Sequence, residues 1–281
     1  MVANTHTRPT VLSQGTFLSV SADEFAEAAA IAGFDALNIW RHAPSFESAS
    51  AVGMATRRAG LSVHAVCRGG YLVEPDQRAA DDASLQALDD AAELGADHLV
   101  VVVGPVVHSA RATLERAARV LEALLPEAED RGVALALEPF HPMFAAEKSA
   151  LVTLRAALSM VEALDSRWVG IAADSYHLWW DPDLAAQFAH ADGRILAVHL
   201  SDWLVPTVNL PRGRGVPGEG VIDLAGFVAI ARHAGFSGPL EVEVLTDRFD
   251  GQPAHSTARL LRSSIESILA TGAAHTPALA G

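Results

Sequence analysis

Four side chains that are able to bind a metal ion stand at comparable places in the sequence, each at or near the end of a short apolar run. Glu138 ends VALALE, Asp174 ends VGIAAD, His199 lies near the end of ILAVHL, and Glu243 lies late in LEVEVL. A single acidic residue at such a place is commonly a capping or salt-bridged residue, but four in succession are not expected by chance. Carboxylates and an imidazole suit a hard or borderline divalent ion, with Mn2+ as first choice and Mg2+, Co2+ or Zn2+ as alternatives. The sequence therefore predicts a site for one metal ion.

The fourth ligand of this predicted site is a choice between two glutamates. Glu241 precedes Glu243 by two residues, so both side chains point to the same side of a strand. Glu243 is preferred because it lies nearer the carboxyl end of the run. Glu241 is then expected to lie deeper, paired with a basic residue.

Strands that all end at one face are needed to bring these ligands together. Short β-branched runs alternate with longer segments rich in Ala, Leu and Glu along the whole chain. Several runs are continuously apolar, which is typical of strands in a parallel sheet that is covered on both faces. The predicted strands are Val11–Phe17, Ala36–Trp40, Leu61–Cys67, His98–Val103, Val133–Glu138, Val169–Asp174, Ile195–Leu200 and Leu240–Leu245.

The segments between the strands contain the capping residues that mark where helices begin and end. Ser21-Ala-Asp-Glu24 has the pattern of a capping box, and it opens a predicted helix that ends at Gly33. The last predicted helix runs from about Pro253 to Ala270. Glycine also follows four other helical segments, at Gly60, Gly95, Gly132 and Gly235.

Eight strand–helix units in about 250 residues predict a closed (β/α)8 TIM barrel. No Gly-x-Gly-x-x-Gly follows the first strand, which disfavours an open doubly wound sheet. We expect one domain over residues 1–281, with an ordered core of about 10–270 and mobile tails at 1–9 and 271–281. Active sites of such barrels lie at the carboxyl ends of the strands, where the four ligands stand.

The composition excludes several classes of protein. Half of the 281 residues are hydrophobic and the formal net charge is −14, so a large core is available and phosphate backbones are repelled. Nucleic acid is therefore not an expected partner. A single cysteine, Cys67, excludes an internal disulfide. The first residues lack a signal-peptide pattern, and no apolar run is long enough to cross a membrane, so we expect a cytoplasmic protein.

Five motifs follow one another along the chain: EPFHP (138–142), DSYH (174–177), HLSD (199–202), RGVPGEGVID (214–223) and GFSGPLEVEV (235–244). In this order they resemble the sugar isomerase/epimerase superfamily of xylose isomerase-like barrels, which includes tagatose 3-epimerase-like enzymes, hydroxypyruvate isomerases and inosose dehydratases. The resemblance covers nearly the whole chain. It implies that Glu138, Asp174, His199 and Glu243 bind the metal ion, with His177 and Arg214 contacting substrate oxygens. It also implies that the two glutamate ligands act as bases on opposite faces of a sugar.

The expected reaction is removal of a proton next to a sugar carbonyl, which gives an enediolate and leads to isomerisation or epimerisation. A bound divalent ion polarises the carbonyl and an adjacent hydroxyl. A cation such as Arg214, or a donor such as His177, stabilises the developing oxyanion. Arg214 stands in the glycine-rich segment 212–220, which we interpret as a mobile lid. Arg212 is the alternative occupant of the site.

His141 suggests elimination as an alternative to isomerisation. It follows Glu138 by three residues, and an imidazole there suits a general base at neutral pH. The local pattern is similar to the large subunit of bacterial C-glycoside deglycosidases, which eliminate a carbon-linked aglycone from 3-oxo-glucosides. Those proteins work with a small all-β subunit. The alternative to a homo-oligomer is therefore a complex with such a partner, and the alternative to an isomerase is a lyase.

Aromatic residues near strand ends are weaker candidates for the sugar site. Trp40 and Trp180 are expected to stack on the substrate. His42 and Arg68 follow strand ends and are within possible reach of it. Two other classes of protein are less favoured. An apurinic endonuclease of the same barrels would need three zinc ions and a basic surface, and a barrel without chemistry would be expected to lose ligands.

Overall fold

Eight parallel strands close into a barrel in the computed structural model of the protein, which describes residues 9–274. The strands follow one another around the barrel in chain order, and the last returns to pair with the first. The predicted (β/α)8 single domain is therefore confirmed. The barrel strands are β1 (Thr10–Ser13), β2 (Ala36–Trp40), β3 (Ser62–Tyr71), β4 (His98–Val102), β5 (Ala134–Leu137), β6 (Val169–Asp174), β7 (Ile195–Leu200) and β10 (Leu240–Val242). Two short strands, β8 (Asp202–Trp203) and β9 (Arg214–Gly215), pair antiparallel above β7.

Helices surround the barrel, and their ends follow the predicted capping residues. The Ser21 hydroxyl accepts the backbone N–H of Glu24 at 3.3 Å, which starts the first helix. Gly33 ends that helix with φ of +84°, a left-handed conformation that glycine adopts without strain. The helices are α1 (Ala22–Ala32), α2 (Ala49–Arg58), α3 (Gln77–Leu94), α4 (Ala110–Arg131), α5 (Leu154–Leu164), α6 (Ser175–Leu178), α7 (Leu184–His190), α8 (Leu224–His233) and α9 (Ala254–Ala274).

The last helix is longer than predicted, because α9 continues from Ala270 to Ala274. Residues 271–274 were expected to belong to a mobile tail and are helical instead. The other expected tail residues, 1–8 and 275–281, lie outside the described residues. None of the helices between residues 9 and 274 has the length and hydropathy needed to cross a membrane.

Two barrel strands end at least three residues earlier than the sequence predicts, and both differences shape the mouth of the barrel, whereas β3 continues past its predicted end at Cys67 to Tyr71. The first strand ends at Ser13, because Gln14–Thr16 form a 3-10 turn. The eighth barrel strand, β10, ends at Val242, and the backbone N–H of Val244 then donates to the Thr16 hydroxyl. The side chains of Ser13 and Glu243 thus stand where the two neighbouring strands leave the ladder.

The barrel interior below the mouth is filled by small side chains. The cluster consists of Cys67, Val100, Ala136, Ala172 and Ala197, from five successive strands, and all five are buried. Small residues leave room for longer polar side chains just above them. A larger apolar layer between strands and helices makes up the main core.

Candidate metal centre at the barrel mouth

The four predicted ligands meet at the carboxyl end of the barrel. Asp174 and His199 are register partners at the ends of β6 and β7, while Glu138 follows β5 and Glu243 follows β10. One donor atom from each residue lies within 4.8 Å of the other three, and all four residues are buried. Bonds of about 2.0 to 2.3 Å place opposite ligands of a divalent ion at most about 4.6 Å apart. The donor atoms therefore span the distance that one ion requires.

The hydrogen bonding of His199 supports the same fit. Both ring nitrogens are buried, and neither forms a hydrogen bond within the described part of the chain. Nδ1 lies 3.4 Å from Glu138 Oε1, and Nε2 lies 3.5 Å from Glu241 Oε2. Buried polar atoms are nearly always hydrogen bonded, so an imidazole with two unpartnered nitrogens beside carboxylates is suited to coordinating a cation. The residues present fit a divalent ion.

The acid–base properties of the cluster reflect burial and crowding. Burial raises the pKa of Glu138 to about 7, with Glu243 and Asp174 adding to the effect and His199 opposing it. Burial lowers the pKa of His199, but the carboxylates of Glu241, Glu138 and Glu243 more than reverse this and raise it well above its usual value. Without an ion the cluster thus retains protons near neutral pH. Binding of a cation would release them.

Arg214 provides the positive charge next to the carboxylates. Its Nη1 donates to Asp174 Oδ2 at 2.7 Å and to Glu243 Oε2 at 3.1 Å, and its Nη2 lies 3.3 Å from His177 Nε2. The guanidinium also lies 4.7 Å above the Tyr176 ring. Burial works against its charge, but Asp174 and Glu243 raise its pKa above the usual value.

The segment that carries Arg214 brings it into the site, as the sequence suggested, and is hydrogen bonded to β8 in this structure. Arg214 belongs to β9 and is register partner of Trp203 in β8. The Asp202 carboxylate accepts the backbone N–H groups of Gly218 at 2.9 Å and Ile222 at 3.0 Å, which ties down the turn. Arg212, the alternative occupant, pairs with Asp247 instead.

His177 is a fully enclosed neutral imidazole beside this cluster. Its ring stacks on Phe140 with centroids 4.2 Å apart, and its Nδ1 accepts the backbone N–H of His141 at 3.2 Å. Burial lowers the pKa of His177 to about 3, although Asp174 opposes this shift. The side chain is therefore neutral at physiological pH.

Glu241 lies below the cluster, as expected from its position in the strand. Its Oε1 accepts the side-chain N–H of Asn38 at 2.6 Å, and its Oε2 faces His199 Nε2. Its partners are thus the Asn38 amide and, as expected, a basic residue, His199. Glu243, and not Glu241, joins the group of four donors.

A cavity of about 330 Å³ opens above the cluster. Of the predicted site residues, Glu138, Glu243, His177, Arg214 and Trp40 line it. Its wall also contains Arg68, Tyr71, Val102, Phe140, Phe144, Lys148, Tyr176 and Arg212.

His141 and Trp180 are not among the described residues that line the cavity. The His141 ring lies 4.9 Å from the Trp203 ring, and its Nδ1 accepts the backbone N–H of Met143 at 3.3 Å. Trp180 donates its indole N–H to the carbonyl of His177 at 2.9 Å. In this structure both residues support the rim, and the roles predicted for them stay predictions.

Ser13 and Lys148 are among the residues near the site that were not identified from the sequence. Ser13 donates to Glu243 Oε1 at 3.2 Å and accepts the indole N–H of Trp40 at 3.1 Å. Ser13 was not identified because it lay inside the predicted strand Val11–Phe17, which extends beyond the end of β1. Lys148 lines the cavity from a loop ten residues after Glu138, and its rarity was the available indication, because it is the single lysine of the chain.

Comparison with known proteins places this architecture in a family. A family model described as xylose isomerase-like TIM barrel matches residues 25–268. A crystal structure of a protein from Sinorhizobium meliloti 1021 is similar, with 36% sequence identity and a TM-score of 0.87 over 92% of this chain and 98% of that chain.

Two curated relatives are enzymes that match part of the chain. One is a 3-dehydroshikimate dehydratase of Pseudomonas aeruginosa, 31% identical over 177 residues, which are 59% of this chain and 26% of the relative. The other is an inosose isomerase of Bacillus velezensis, 28% identical over 188 residues, or 63% of each protein. The chain thus spans less than two thirds of either relative. Because the family match extends over most of its length, the protein belongs to the xylose isomerase-like TIM barrel family.

Proposed function

We propose that the protein is a divalent-metal-dependent enzyme that removes a proton next to the carbonyl of a sugar or sugar-like polyol, and that it isomerises or epimerises this substrate. The observation that carries the proposal is the group of four buried donors within 4.8 Å of one another beneath an open cavity. The names of the two curated relatives, an isomerase and a dehydratase, are compatible with this class of chemistry.

Glu138, Asp174, His199 and Glu243 would hold the ion, whose chemical contribution is Lewis acidity toward the substrate carbonyl. Glu138 and Glu243 both line the cavity, and β6 and β7 separate their strands in the barrel. Their carboxylates therefore approach a substrate from two sides. One takes the carbon-bound proton on its oxygen, and the other delivers a proton to the opposite face, which gives epimerisation.

Arg214 and His177 suit the stabilisation of the oxygen that gains charge during proton removal. Arg214 is fixed by Asp174 and Glu243, so its remaining N–H groups need no reorganisation when the charge develops. His177 is neutral and lines the same wall, so it can offer a hydrogen bond without adding a second positive charge. Apolar wall residues such as Phe140 limit access of water.

Elimination is the second candidate, because it begins with the same proton removal and one relative is a dehydratase. Cleavage of a carbon-linked 3-oxo-glucoside is the form suggested by EPFHP, with His141 as base and a small all-β partner subunit. The His141 ring packs on Trp203 outside the cavity lining. Its use as a base would therefore require the side chain to turn toward the substrate.

A metal titration tests the ligand set and the identity of the ion. Chelator-treated protein is titrated with Mn2+, Mg2+, Co2+ and Zn2+, and we expect one ion per chain with Mn2+ preferred. Asp174→Asn and Glu243→Gln should each weaken binding by more than about 100-fold, a larger loss than that of residues that only orient ligands. Glu115→Gln, which removes an exposed carboxylate on α4, is the control. Absence of a stoichiometric ion would overturn the proposal.

Proton–deuterium exchange tests the reaction and separates the two candidates. Keto-sugars such as D-fructose and a 3-oxo-glucoside are incubated with the Mn2+-loaded protein in deuterated water, and exchange next to the carbonyl is followed by NMR. We expect exchange that stops when the metal is chelated. Exchange that survives His141→Ala favours the glutamate bases and an isomerase or epimerase. Exchange that His141→Ala abolishes favours elimination.

A further inference from the structure

The cavity wall carries two cations that no carboxylate of residues 9–274 neutralises. Lys148 and Arg68 both line the cavity, and neither forms an ion pair with any residue that the structure describes. The Arg68 guanidinium lies 4.1 Å above the Tyr71 ring. Arg212 lines the same cavity but is already bound to Asp247 and Asp250. Positive charge is therefore available on this wall to a ligand.

The two cations belong to one continuous wall. Tyr71, on which Arg68 stacks, is close to Gly104, since a Cβ at Gly104 would lie 3.1 Å from Tyr71 Cβ. Gly104 forms a parallel bridge with Ser149, the residue that follows Lys148. Arg68 and Lys148 thus approach the cavity from β3 and from the loop after β5, on either side of β4.

This wall is separate from the one that holds Arg214. The donor cluster is built from the ends of β5, β6, β7 and β10, and Arg214 reaches it from β9. The cations of the β3 side are therefore placed to contact a part of the ligand other than the carbonyl at the cluster. The cavity is about 330 Å³, which is within the usual range for small-molecule sites.

Unpaired cations in this position are significant in a chain with a formal charge of −14. The field of the whole protein repels small anions, so local positive charge is needed to bind one. An arginine fork and a lysine ammonium are the side chains that recognise carboxylate and phosphate groups, and their charge-assisted hydrogen bonds are stronger than neutral ones.

We propose that the substrate carries an anionic group, a carboxylate or a phosphate, which Arg68 and Lys148 bind while the carbonyl lies at the donor cluster. This inference rests on the proposed function and names the substrate class of the same site. Neutral ketoses are accordingly weak ligands.

Binding of three related probes tests the inference. D-Fructose, D-fructose 6-phosphate and 2-keto-D-gluconate share a polyhydroxy ketone and differ by a phosphate or a carboxylate. Calorimetric titration of the Mn2+-loaded protein should show at least one anionic probe binding about 10- to 100-fold more tightly than D-fructose, as expected for hydrogen bonds to a charged group. Which of the two anions binds better identifies the group.

Substitutions connect this advantage to the two residues. Lys148→Met and Arg68→Met should each reduce the advantage of the anion by about 10-fold or more, whereas Lys148→Arg should keep most of it. Arg167→Met removes one exposed positive charge before β6, at the opposite end of the barrel, and should leave the advantage unchanged. This control separates a local contact from the effect of net charge.

The inference is overturned if D-fructose binds as tightly as both anions, or if the advantage of the anion survives both methionine substitutions. A failure of the proposed function has a different signature. It would appear as absence of a stoichiometric metal ion or of metal-dependent exchange on any of the three probes. Exchange on D-fructose with no preference for anions would retain the function and remove the inference.

Discussion

The two halves of the barrel mouth use positive charge in opposite ways. In the half formed by β5, β6, β7 and β10, Arg214 is buried and bonded to Asp174 and Glu243. In the half formed by β3, β4 and the loop after β5, Lys148 is half-buried and has no carboxylate partner in the described chain. We call the half that contains Arg214 the acidic half and the half that contains Lys148 the basic half.

The difference shows which charges the fold needs and which it leaves to a ligand. In the acidic half, several buried carboxylates would repel one another without a cation, so Arg214 contributes to the stability of the protein before any substrate arrives. In the basic half, none of the buried acids in the described part of the chain is paired with Lys148. Its charge is therefore available for binding, and its loss should affect ligands rather than folding.

The largest expected effect comes from a substitution that removes the positive charge of the acidic half. Arg214→Met leaves Asp174 and Glu243 buried without their cation, and breaking a buried pair in this way costs about 3–5 kcal/mol. We expect a loss of that size in the free energy of unfolding of the metal-free protein, measured by urea denaturation. Lys148→Met should change it by less than about 0.5 kcal/mol. Equal losses in the two variants would contradict the comparison.

Substitution of Glu241 tests whether a residue below the four donors contributes to the metal affinity of the acidic half. Its carboxylate faces His199 Nε2 from below, and residues that orient a metal-binding histidine contribute about 10- to 100-fold in metal affinity. Glu241→Gln retains an oxygen that can accept from Asn38 but removes the charge. We expect one Mn2+ per chain still to bind, with affinity lower by that factor. Unchanged affinity would show that Glu241 only fills space.

The pH dependence of stability tests the contact between the two halves. His177 lies there, since its ring stacks on Phe140 and its Nε2 lies near Arg214. Its pKa of about 3 in the folded protein is below the usual value of 6.5. Between these values the unfolded chain binds a proton that the folded chain does not, so stability is full above pH 6.5 and falls as the pH drops toward 3. The loss is up to about 1.4 kcal/mol per pH unit.

The measurement compares metal-free wild type with His177→Gln by urea unfolding from pH 8 to pH 5. The wild type should lose stability more steeply below pH 6.5, and the two curves should run parallel above it. Curves that stay parallel at all pH values would show that His177 takes up a proton in the folded protein as easily as in the unfolded one.

Prediction of the fold from the sequence succeeded where local chemistry decides the outcome. Ala36–Trp40, Val169–Asp174 and Ile195–Leu200 have the predicted bounds, because each apolar run ends where the chain becomes polar or turns. The first and eighth barrel strands were predicted at least three residues too long, and the third was predicted too short. The apolar runs of the first and eighth strands continue past the ladder, and the contact between Val244 and Thr16 that ends the pairing joins segments far apart in sequence.

The same difference between local sequence and contacts of distant segments applies to the residues of the site. The end of a strand fixes where Glu138, Asp174 and His199 lie, so their convergence could be inferred from spacing. Lys148 lies in a loop, and only the bridge between Gly104 and Ser149 brings that loop to the cavity. Periodicity carries no information about such a contact. Its part in the basic half therefore became visible only in the structure.

The smallest expected effect concerns the contact between the acidic half and the side of the mouth formed by β1 and β2. Trp40, on β2, donates its indole N–H to Ser13, and Ser13 donates to the Glu243 carboxylate. Trp40→Phe keeps an aromatic ring but leaves Ser13 without this partner, so Glu243 is less well oriented. We expect Mn2+ affinity to fall about 2- to 10-fold, the range of one neutral hydrogen bond. Trp168→Phe is the control, because the Trp168 indole N–H has no hydrogen-bond partner among the residues that the structure describes.

A double-mutant cycle decides whether this link acts through Ser13. If it does, Ser13→Ala should lower Mn2+ affinity by itself, and adding Trp40→Phe to it should have little further effect. Additive losses would mean that Trp40 affects the metal centre by packing alone. The acidic half would then be built independently of the β2 side of the mouth, and Trp40 would act only on the substrate.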